Sequence, residues 1–469
     1  MSQELFVGFA RREISPTVCS VPLGGFGATE HRLSGVIGDP LYVNAVAIRG
    51  GEEKLVILST DLLGVVEKCV ALYREAISEK TGLPKDRIFI SASHTHSGPD
   101  PRSEIPAAAK YRTEQLIPAL CDAAYRALVD LKPAKLSYGS IEVGTPTCRM
   151  NFDRHYNVVE KGKEDNYTED DKHFADFTQP QYWKDKEHYS FVEHWEKQDP
   201  MLHIMRFERD GADDVLLFNF AAHATFVGTA RGTLVSSDWP GATVQRIEKL
   251  FPDTKCAFLQ GCAGNMVPET KIESEGLLGL TTGPSCDHHA YASVIAGYAR
   301  RLLKKGMKDS ETATLSVLQE IVTFPYDHSS DHLLPKAQQA LEVFDQEGNT
   351  PAAREHCYSF GFRSVYTCVG IRKHAGLPET GEVELNAIRI GDCAIATLPF
   401  EPYCSTGEYI REHSPFALTI ANGYSCGYQS YLPTLSVHPD AYESAQLVYK
   451  PGTAEAVGEK LSEMLKQLI

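Results

Sequence analysis

Two histidines separated by one residue are the part of this sequence best suited to chemistry. His94 and His96 lie in the stretch Arg87–Asp100, where an apolar, β-branched run ends in a loop of small residues. Because an extended backbone repeats its side-chain direction every second residue, we expect the two imidazoles to face one point. Imidazole is a common ligand of zinc-like ions, so the motif is compatible with a metal site. The alternative is a pair of loop histidines that are hydrogen-bonded to the backbone.

Further candidate ligands follow other apolar runs. His223 ends the run in NFAAH, and Glu401 follows the apolar residues of LPF. A carboxylate buried in such a place requires a partner or a metal ion. Together with His94, these residues would form a two-histidine, one-carboxylate zinc site that leaves a position open for water. Three tyrosines near the end of the chain either pack together or bring one phenol to the same ion: Tyr424, Tyr428 and Tyr431.

A glycine-containing loop, Gln260–Pro268, has the sequence QGCAGNMVP. Its small residues allow close backbone approach to a ligand, and the backbone N–H groups of 261–265 could stabilise a developing oxyanion. The loop lacks the glycine patterns of nucleotide-binding sites. Cys262 is either a nucleophile or, as the absence of a neighbouring histidine favours, a buried thiol.

The elements that position these residues follow the same order three times: a hairpin, a loop, a helix, a strand and a second loop. Gly-Gly, Asp-Gly and Gly-Asp turns between apolar runs predict the hairpins. Open α/β sheets bind ligands at the carboxyl ends of their strands, so we expect loops that are distant in sequence to converge there. The predicted units comprise hairpin strands 44–49 and 55–60, helix 65–79 and strand 88–91; hairpin strands 202–208 and 215–220, helix 240–250 and strand 256–259; and hairpin strands 383–390 and 394–398, helix 404–411 and strand 418–421.

The totals limit the classes of function. The 469 residues carry a net charge of −16, which argues against nucleic acid or an anionic membrane as a partner. No apolar run has the length of a signal peptide or a membrane span, and the 12 cysteines show no CxxC pair. We therefore expect a cytoplasmic protein with one α/β domain over residues 1–469, interrupted by an insertion or lid at 155–198 and acting on a small molecule.

Taken in order, these segments resemble the neutral ceramidase family, zinc-dependent amidases that cleave N-acylsphingosine. The resemblance implies a mixed α/β catalytic domain with one zinc ion, held by His94, His223 and Glu401. The tyrosine ligand of the family stands in a Tyr-x-x-Tyr-x-x-Thr context, which indicates Tyr428 here, with Tyr424 as the alternative. The segments that carry the resemblance are SASHTHSGPD, DPMLHIMRF, NFAAH, SSDWPG, FLQGCAGNMVP, LPFEPY and ANGYSCGYQSYLPT.

The resemblance also implies catalytic roles. His96 would line the site and assist the tetrahedral intermediate, as the general acid and base. An arginine in the segment RMNFDR would enter the site, and both Arg154 and Arg149 fit. Asn265 would contribute from the loop Gln260–Pro268, which we call the oxyanion loop.

One departure from the family bears on mechanism. The family has a serine nucleophile where this chain has Val267, and we expect neither the C-terminal β-domain nor the secretion signal of those enzymes here. We therefore hypothesise a zinc-dependent hydrolase in which a metal-bound water attacks an amide, or alternatively an ester or lactone. A catalytically inactive relative that binds a ligand is the competing hypothesis. Asp61 and Asp238 leave a second divalent ion possible, and nothing in the sequence indicates the oligomeric state.

Overall fold

The structure of the protein is a computed structural model. It describes residues 4–17, 20–25, 32–143, 148–150, 156–160, 174–175, 189–192, 199–227, 232–268, 287–348, 350–362, 365–437 and 442–469.

The described strands form several mixed sheets. In chain order they are β1 (Leu5–Glu13), β2 (Tyr42–Gly50), β3 (Glu53–Thr60), β4 (Ile88–Ala92), β5 (Lys132–Glu142), β6 (Cys148–Met150), β7 (Tyr156–Glu160), β8 (Phe174–Ala175), β9 (Tyr189–Val192), β10 (Met201–Arg209), β11 (Asp214–Phe220), β12 (Thr254–Gln260), β13 (Met266–Pro268), β14 (Lys308–Asp309), β15 (Leu315–Pro325), β16 (Thr380–Ile390), β17 (Cys393–Thr397), β18 (Glu401–Pro402), β19 (Leu418–Asn422) and β20 (Tyr431–Leu432).

Helices occupy much of the remaining described chain. They are α1 (Glu67–Thr81), α2 (Pro106–Tyr111), α3 (Ile117–Val129), α4 (Asp238–Leu250), α5 (His288–Lys305), α6 (Leu334–Ala340), α7 (Glu342–Glu347), α8 (Pro351–Ser359), α9 (Val365–His374), α10 (Cys404–Glu412), α11 (Tyr442–Gln446) and α12 (Thr453–Lys466), with a π-helical segment at Arg112–Leu116 and 3₁₀ turns at Lys85–Arg87 and Asp331–Leu333.

Two sheets form the centre of the fold. The larger has the order β12-β11-β10-β5-β1-β2-β3-β4, with β14 added beside β5, and the smaller has the order β15-β16-β17-β19. In the larger sheet, β11 pairs with β12 and β3 with β4 in parallel, whereas the other pairs are antiparallel. Short pairs join β13 to β6 and β18 to β20. The mixed α/β class predicted from the sequence is confirmed.

The three predicted hairpin–helix–strand units are all present. In the first unit, β2 and β3 form the hairpin, α1 follows, and β4 lies parallel to β3. The second unit consists of β10, β11, α4 and β12, and the third of β16, β17, α10 and β19, each with the same pairing. The predicted boundaries hold to within a few residues, because apolar runs and tight turns are local signals.

The layers pack through alternating faces of their strands. Ala45 and Ala47 of β2 face a core shared with α1 and α3, whereas Val46 and Ile48 face a core shared with the smaller sheet. The far side of β16 and β17 packs against the apolar stripe of α12. Side chains on a strand point to opposite faces in turn, so β2 needs apolar residues at successive positions to be buried on both sides. The result is four layers: helices, large sheet, small sheet and helices.

The edges of the large sheet approach each other at the ends of their strands. The hydroxyl of Ser59 on β3 donates to the carbonyl of Phe258 on β12 at 2.6 Å. The loop after β19 adds to the free edge of β4, with Cys426 N donating to Ile90 O at 2.7 Å. The ends of strands from all three units therefore lie in one region.

The predicted insertion at 155–198 lies largely outside the described residues. Its described part consists of the backbone of β7, β8 and β9, which form a small antiparallel sheet with the order β8-β7-β9. The idea of a lid therefore stays a prediction. Among the described helices, none has the length and apolar character needed to cross a bilayer.

Candidate metal centre

His94 lies in the loop that begins where β4 ends, and its side chain is fully buried. Nδ1 is 2.7 Å from the carbonyl of Leu63. Because a carbonyl only accepts, Nδ1 carries the proton and donates it, which leaves the lone pair on Nε2. A ligand histidine held in this way presents Nε2 to a metal ion.

The backbone at His94 differs from the extended form expected from the sequence. Its φ angle is +63°, in the left-handed region, which is costly for a residue with a Cβ atom. His96 nevertheless turns toward it: the two Nε2 atoms are 3.1 Å apart, and the rings meet nearly at right angles. The two rings therefore converge as predicted, but a tight loop and not strand alternation is the cause.

His223 follows β11 and is anchored in the same manner. Its Nδ1 lies 2.6 Å from the carbonyl of Ala263 and 3.1 Å from that of Met266. Its backbone N–H also donates to Met266 O, at 2.9 Å. The oxyanion loop predicted from the sequence is thus in contact with this histidine, and it leaves Nε2 of His223 facing the site.

A single amide joins the two histidine loops. Nε2 of Gln260 donates to the carbonyl of Ser93 at 3.0 Å and to that of Ala222 at 2.9 Å. These two residues directly precede His94 and His223. The bonds fix the two loops relative to each other at the end of β12.

Glu401 supplies the carboxylate. It is 3 % exposed, and its Oε2 lies 3.3 Å from Nε2 of both His94 and His223. Ligand atoms at about 2.0–2.1 Å from a tetrahedral zinc ion are separated by about 3.3 Å. Oε2 of Glu401 is therefore as far from each of the two imidazole nitrogens as two ligands of such an ion are from each other. His94, His96 and His223 also offer ring nitrogens within 4.8 Å of one another.

Electrostatics at the site keep the carboxylate charged. Burial on its own would raise the pKa of Glu401, but the neighbouring rings of His94 and His223 hold it well below its usual value. Burial lowers the pKa of His94 and, more strongly, that of His96. For His223, the effect of burial is outweighed by Glu401, which raises its pKa. A metal ion binds an ionised carboxylate and neutral imidazoles, so metal binding here would release the proton that Glu401 favours on His223.

All three tyrosines reach this region. The hydroxyl of Tyr428 donates to Oε1 of Glu401, and that of Tyr431 lies 3.5 Å from Nε2 of His223. The ring of Tyr424 is 4.2 Å from that of His94, and its buried hydroxyl has no hydrogen-bond partner within the described part of the chain. Tyr428 therefore contacts the carboxylate of Glu401, and its choice over Tyr424 as a metal ligand stays a prediction.

Backbone N–H groups of the oxyanion loop that were expected to face a substrate bond to the protein itself. The N–H groups of Gly261 and Gly264 donate to backbone carbonyls, of Phe220 at 3.1 Å and of Pro402 at 2.8 Å. Oδ1 of Asn265 accepts the N–H of Cys404 at 2.9 Å, at the first turn of α10. The Asn265 side chain therefore anchors the segment that follows Glu401, and two of the expected oxyanion donors are already bonded.

Cys262 fits the description of a buried thiol. It is fully buried, and burial strongly raises its pKa, which opposes the thiolate that a nucleophile needs. Val267 is half-buried on β13, next to Met266, whose carbonyl holds His223. The residue that the resemblance places at the family's serine position is thus adjacent to a residue that holds His223.

Of the arginines expected from the sequence, Arg154 lies outside the described residues, and Arg149 is placed by its backbone opposite Val267. The structure brings two other arginines to the site. Arg32 is buried and donates to the carbonyl of His96 at 2.9 Å, and Arg102 stacks over the ring of Tyr428 at 5.5 Å. Arg102 follows the histidine motif closely, and this position in the sequence could have indicated that it lies near the site. No motif near Arg32 indicates its place.

Asp61 and Asp238, the residues considered for a second ion, do not join the cluster. An oxygen of Asp61 accepts the N–H of Tyr42 at 2.8 Å, and the two oxygens of Asp238 accept those of Val227 and Trp239 at 2.9 and 2.6 Å. Both carboxylates thus support local backbone. Burial raises the pKa of Asp61 to about 7 and that of Asp238 to about 6.

Comparison with solved structures identifies neutral ceramidases as similar folds. A neutral ceramidase from Pseudomonas aeruginosa superposes with a TM-score of 0.68 and 17 % sequence identity, covering 100 % of this chain and 75 % of that one. A ceramidase complexed with C2 gives the same values. No protein-family model and no curated protein matches the sequence. The catalytic-domain fold implied by the resemblance in the sequence is confirmed.

Proposed function

We propose that this protein is a zinc-dependent hydrolase that cleaves an amide bond in an N-acyl substrate. The observation that carries the proposal is the placement of one carboxylate oxygen, Oε2 of Glu401, at 3.3 Å from Nε2 of both His94 and His223. The similarity of the fold to neutral ceramidases supports amide hydrolysis as the reaction. Ester or lactone hydrolysis is the alternative at the same site, because attack on an acyl carbon is common to all three reactions.

His94, His223 and Glu401 would hold the ion, and Tyr428 would orient the carboxylate through its hydrogen bond. When bound, zinc polarises a substrate carbonyl and lowers the pKa of a water molecule from about 15.7 toward about 7. The carbonyls of Leu63 and Ala263 fix which nitrogen each ring presents, so the donors need little rearrangement.

His96 is suited to proton transfer. Its Nε2 lies beside that of His94, and burial lowers the pKa of the ring well below its usual value, so that the ring is a neutral base that holds a proton only weakly. A neutral imidazole accepts a proton from the attacking water and can return it to the leaving amine. Val267 has no hydroxyl, which is why we assign the attack to water and not to a side chain.

A ligand-binding relative without catalysis is the second candidate function, and Val267 is the observation that favours it. Such a protein would bind the ion and a ligand but would not turn over N-acyl, ester or lactone substrates.

The test compares metal content and turnover in the same preparations. The chelator-treated protein, reloaded with zinc, is assayed on N-acyl amides of graded chain length and on matched esters. We expect His94→Ala and Glu401→Gln to lose turnover and zinc at this site, and His413→Ala, at an exposed histidine bonded to Tyr409 O, to retain both. Full turnover after complete chelation, or in His94→Ala, would refute the proposal, and zinc binding without turnover would favour the ligand-binding relative.

A further inference from the structure

A second group of metal-ligating side chains lies outside the centre described above. It consists of Asp39, His288 and His289, with one ligand atom from each lying within 4.8 Å of the others. Nε2 of His288 is 3.0 Å from Oδ2 of Asp39, and Nε2 of His289 is 3.6 Å from Oδ1. The histidines occupy the first turn of α5, and Asp39 lies 249 residues before His288 in the chain.

An ion pair accounts for only part of this arrangement. The contact of His288 with Asp39 is a hydrogen bond, but 3.6 Å from His289 is too long for one. The two imidazole rings also lie with centroids 4.0 Å apart, an unfavourable placement for two cations. The distances of 3.0 and 3.6 Å lie on either side of the separation of about 3.3 Å between ligands of a tetrahedral zinc ion.

The surroundings of the group favour a cation. The hydroxyl of Ser236 donates to Oδ2 of Asp39 and so fixes the carboxylate. Asp238 and Asp287 add negative charge near His288, which offsets the positive end of α5. His289 is about half exposed, which leaves a path for an ion and a position for water.

We propose that Asp39, His288 and His289 bind a second divalent cation of the zinc class, separate from the one at His94, His223 and Glu401. Two imidazoles and a carboxylate form a donor set that suits zinc and similar transition ions better than calcium or magnesium, which prefer all-oxygen sites.

The position of this site indicates a structural role. Ser236 connects this site to the loop that carries His94 and His96. The carbonyl of Ser236 accepts from the hydroxyl of Thr95 at 2.7 Å, and its N–H donates to Ser97 O at 3.0 Å. A cation here would join the start of α5, through Asp39, to the segment around Ser236 that is hydrogen-bonded to the loop of His94 and His96. It would therefore stabilise that loop without contacting the substrate.

The test counts zinc in the full chain by elemental analysis after chelation, reloading and dialysis. The double variant His288→Gln/His289→Gln is expected to bind one equivalent less than the wild type. His328→Gln is the matched control, because the half-buried His328 pairs with Asp331 at 2.8 Å without a third ligand among the described residues. It is expected to leave the count unchanged. An unchanged count in the double variant would overturn the proposal.

A second measurement separates this site from the proposed catalytic one. In the His94→Ala background, zinc is expected to raise the melting temperature by a few degrees, and adding His288→Gln/His289→Gln should abolish the shift. Magnesium at the same concentration should give no shift. Asp39→Asn, with almost unchanged shape, should also remove the shift while its far-ultraviolet circular dichroism stays that of the wild type. A shift that persists in both sets of variants would refute the second site, whatever the outcome for catalysis.

Discussion

The hydroxyl of Tyr428 donates a hydrogen bond to one oxygen of Glu401, while the other oxygen of that carboxylate faces His94 and His223. Each oxygen of Glu401 thus has a separate task. The phenol fixes the plane of the carboxylate, and the remaining oxygen meets the two imidazole nitrogens. Residues that bond to metal ligands in this way tune the affinity of a site.

Tyr428→Phe should therefore weaken the site without removing it. The variant keeps the ring, over which Arg102 stacks, but loses the bond to Glu401. We expect zinc affinity and turnover to fall by about 10- to 100-fold. Competition with a chromophoric chelator measures the affinity. Tyr431→Phe, which loses the longer 3.5 Å contact with His223, is the comparison and should have a smaller effect. Equal zinc affinity in wild type and Tyr428→Phe would contradict this role.

Gly25→Ala should displace His96. A Cβ atom at Gly25 would lie 2.5 Å from Nδ1 of His96, and the φ angle there is +94°. The half-buried ring of His96 lies directly against the backbone of Gly25, so we expect turnover to fall at least about tenfold through misplacement. Steady-state kinetics on the reloaded enzyme provide the measurement.

Gly211→Ala is the matched control for Gly25→Ala. Its φ angle of +65° imposes similar backbone strain, but a Cβ atom there would meet nothing within 4 Å. We expect a loss of stability of about 1 kcal/mol and unchanged turnover. If both variants lose activity equally, strain and not contact with His96 is the cause.

Asp61 predicts a pH dependence of stability. Burial raises its pKa to about 7, above the value of about 3.9 expected in the unfolded chain. The folded state therefore favours the protonated form, and the stability that this provides below about pH 4 is lost as the pH rises through 7. Asp61→Asn should abolish this loss while keeping an acceptor for Tyr42. We expect the variant to gain about 2 to 4 kcal/mol over the wild type between pH 4 and pH 8.

Urea unfolding of the metal-free protein at several pH values measures that gain. Asp210→Asn, at an exposed hairpin turn, is the control for the loss of one carboxylate charge. Parallel profiles for the wild type and Asp61→Asn would show that Asp61 titrates alike in the folded and unfolded chains.

Val267→Ser tests which group attacks the substrate. If water is the nucleophile, a hydroxyl at this half-buried position should change turnover by less than about tenfold and cost about 1 kcal/mol of stability. Intact-mass analysis during turnover should detect no acyl adduct. A large rise in rate, accompanied by an acyl adduct on the introduced hydroxyl, would show that the protein had lost a serine mechanism.

Much of the fold followed from the sequence because its signals are local. The turns at Gly50-Gly51, Asp210-Gly211 and Gly391-Asp392 lie between apolar runs, and the structure has a hairpin at each. His94, His223 and Glu401 were expected to meet because each follows a strand end, and the structure brings them together.

Other features depend on contacts between distant segments and have no local pattern. Arg32 reaches the carbonyl of His96, 64 residues later, and Asp39 meets Ser236, 197 residues later. The same reason applies to the side chain of Asn265, which accepts the N–H of Cys404 at the start of α10, 139 residues later. The catalytic role expected for Asn265 stays a prediction. The sequence also predicts an extended backbone at His94, whereas its φ angle is imposed by the surrounding loops.

The two hydrogen bonds that Gln260 donates affect which metal ion the site would select. Since one amide holds the carbonyls of Ser93 and Ala222, the gap between the two imidazoles is set by hydrogen bonds within the protein. A frame that is rigid in this dimension suits ions with bonds of about 2.0–2.1 Å and excludes calcium, whose bonds are about 2.3–2.6 Å. Size discrimination would then originate at Gln260, a residue that never touches the metal.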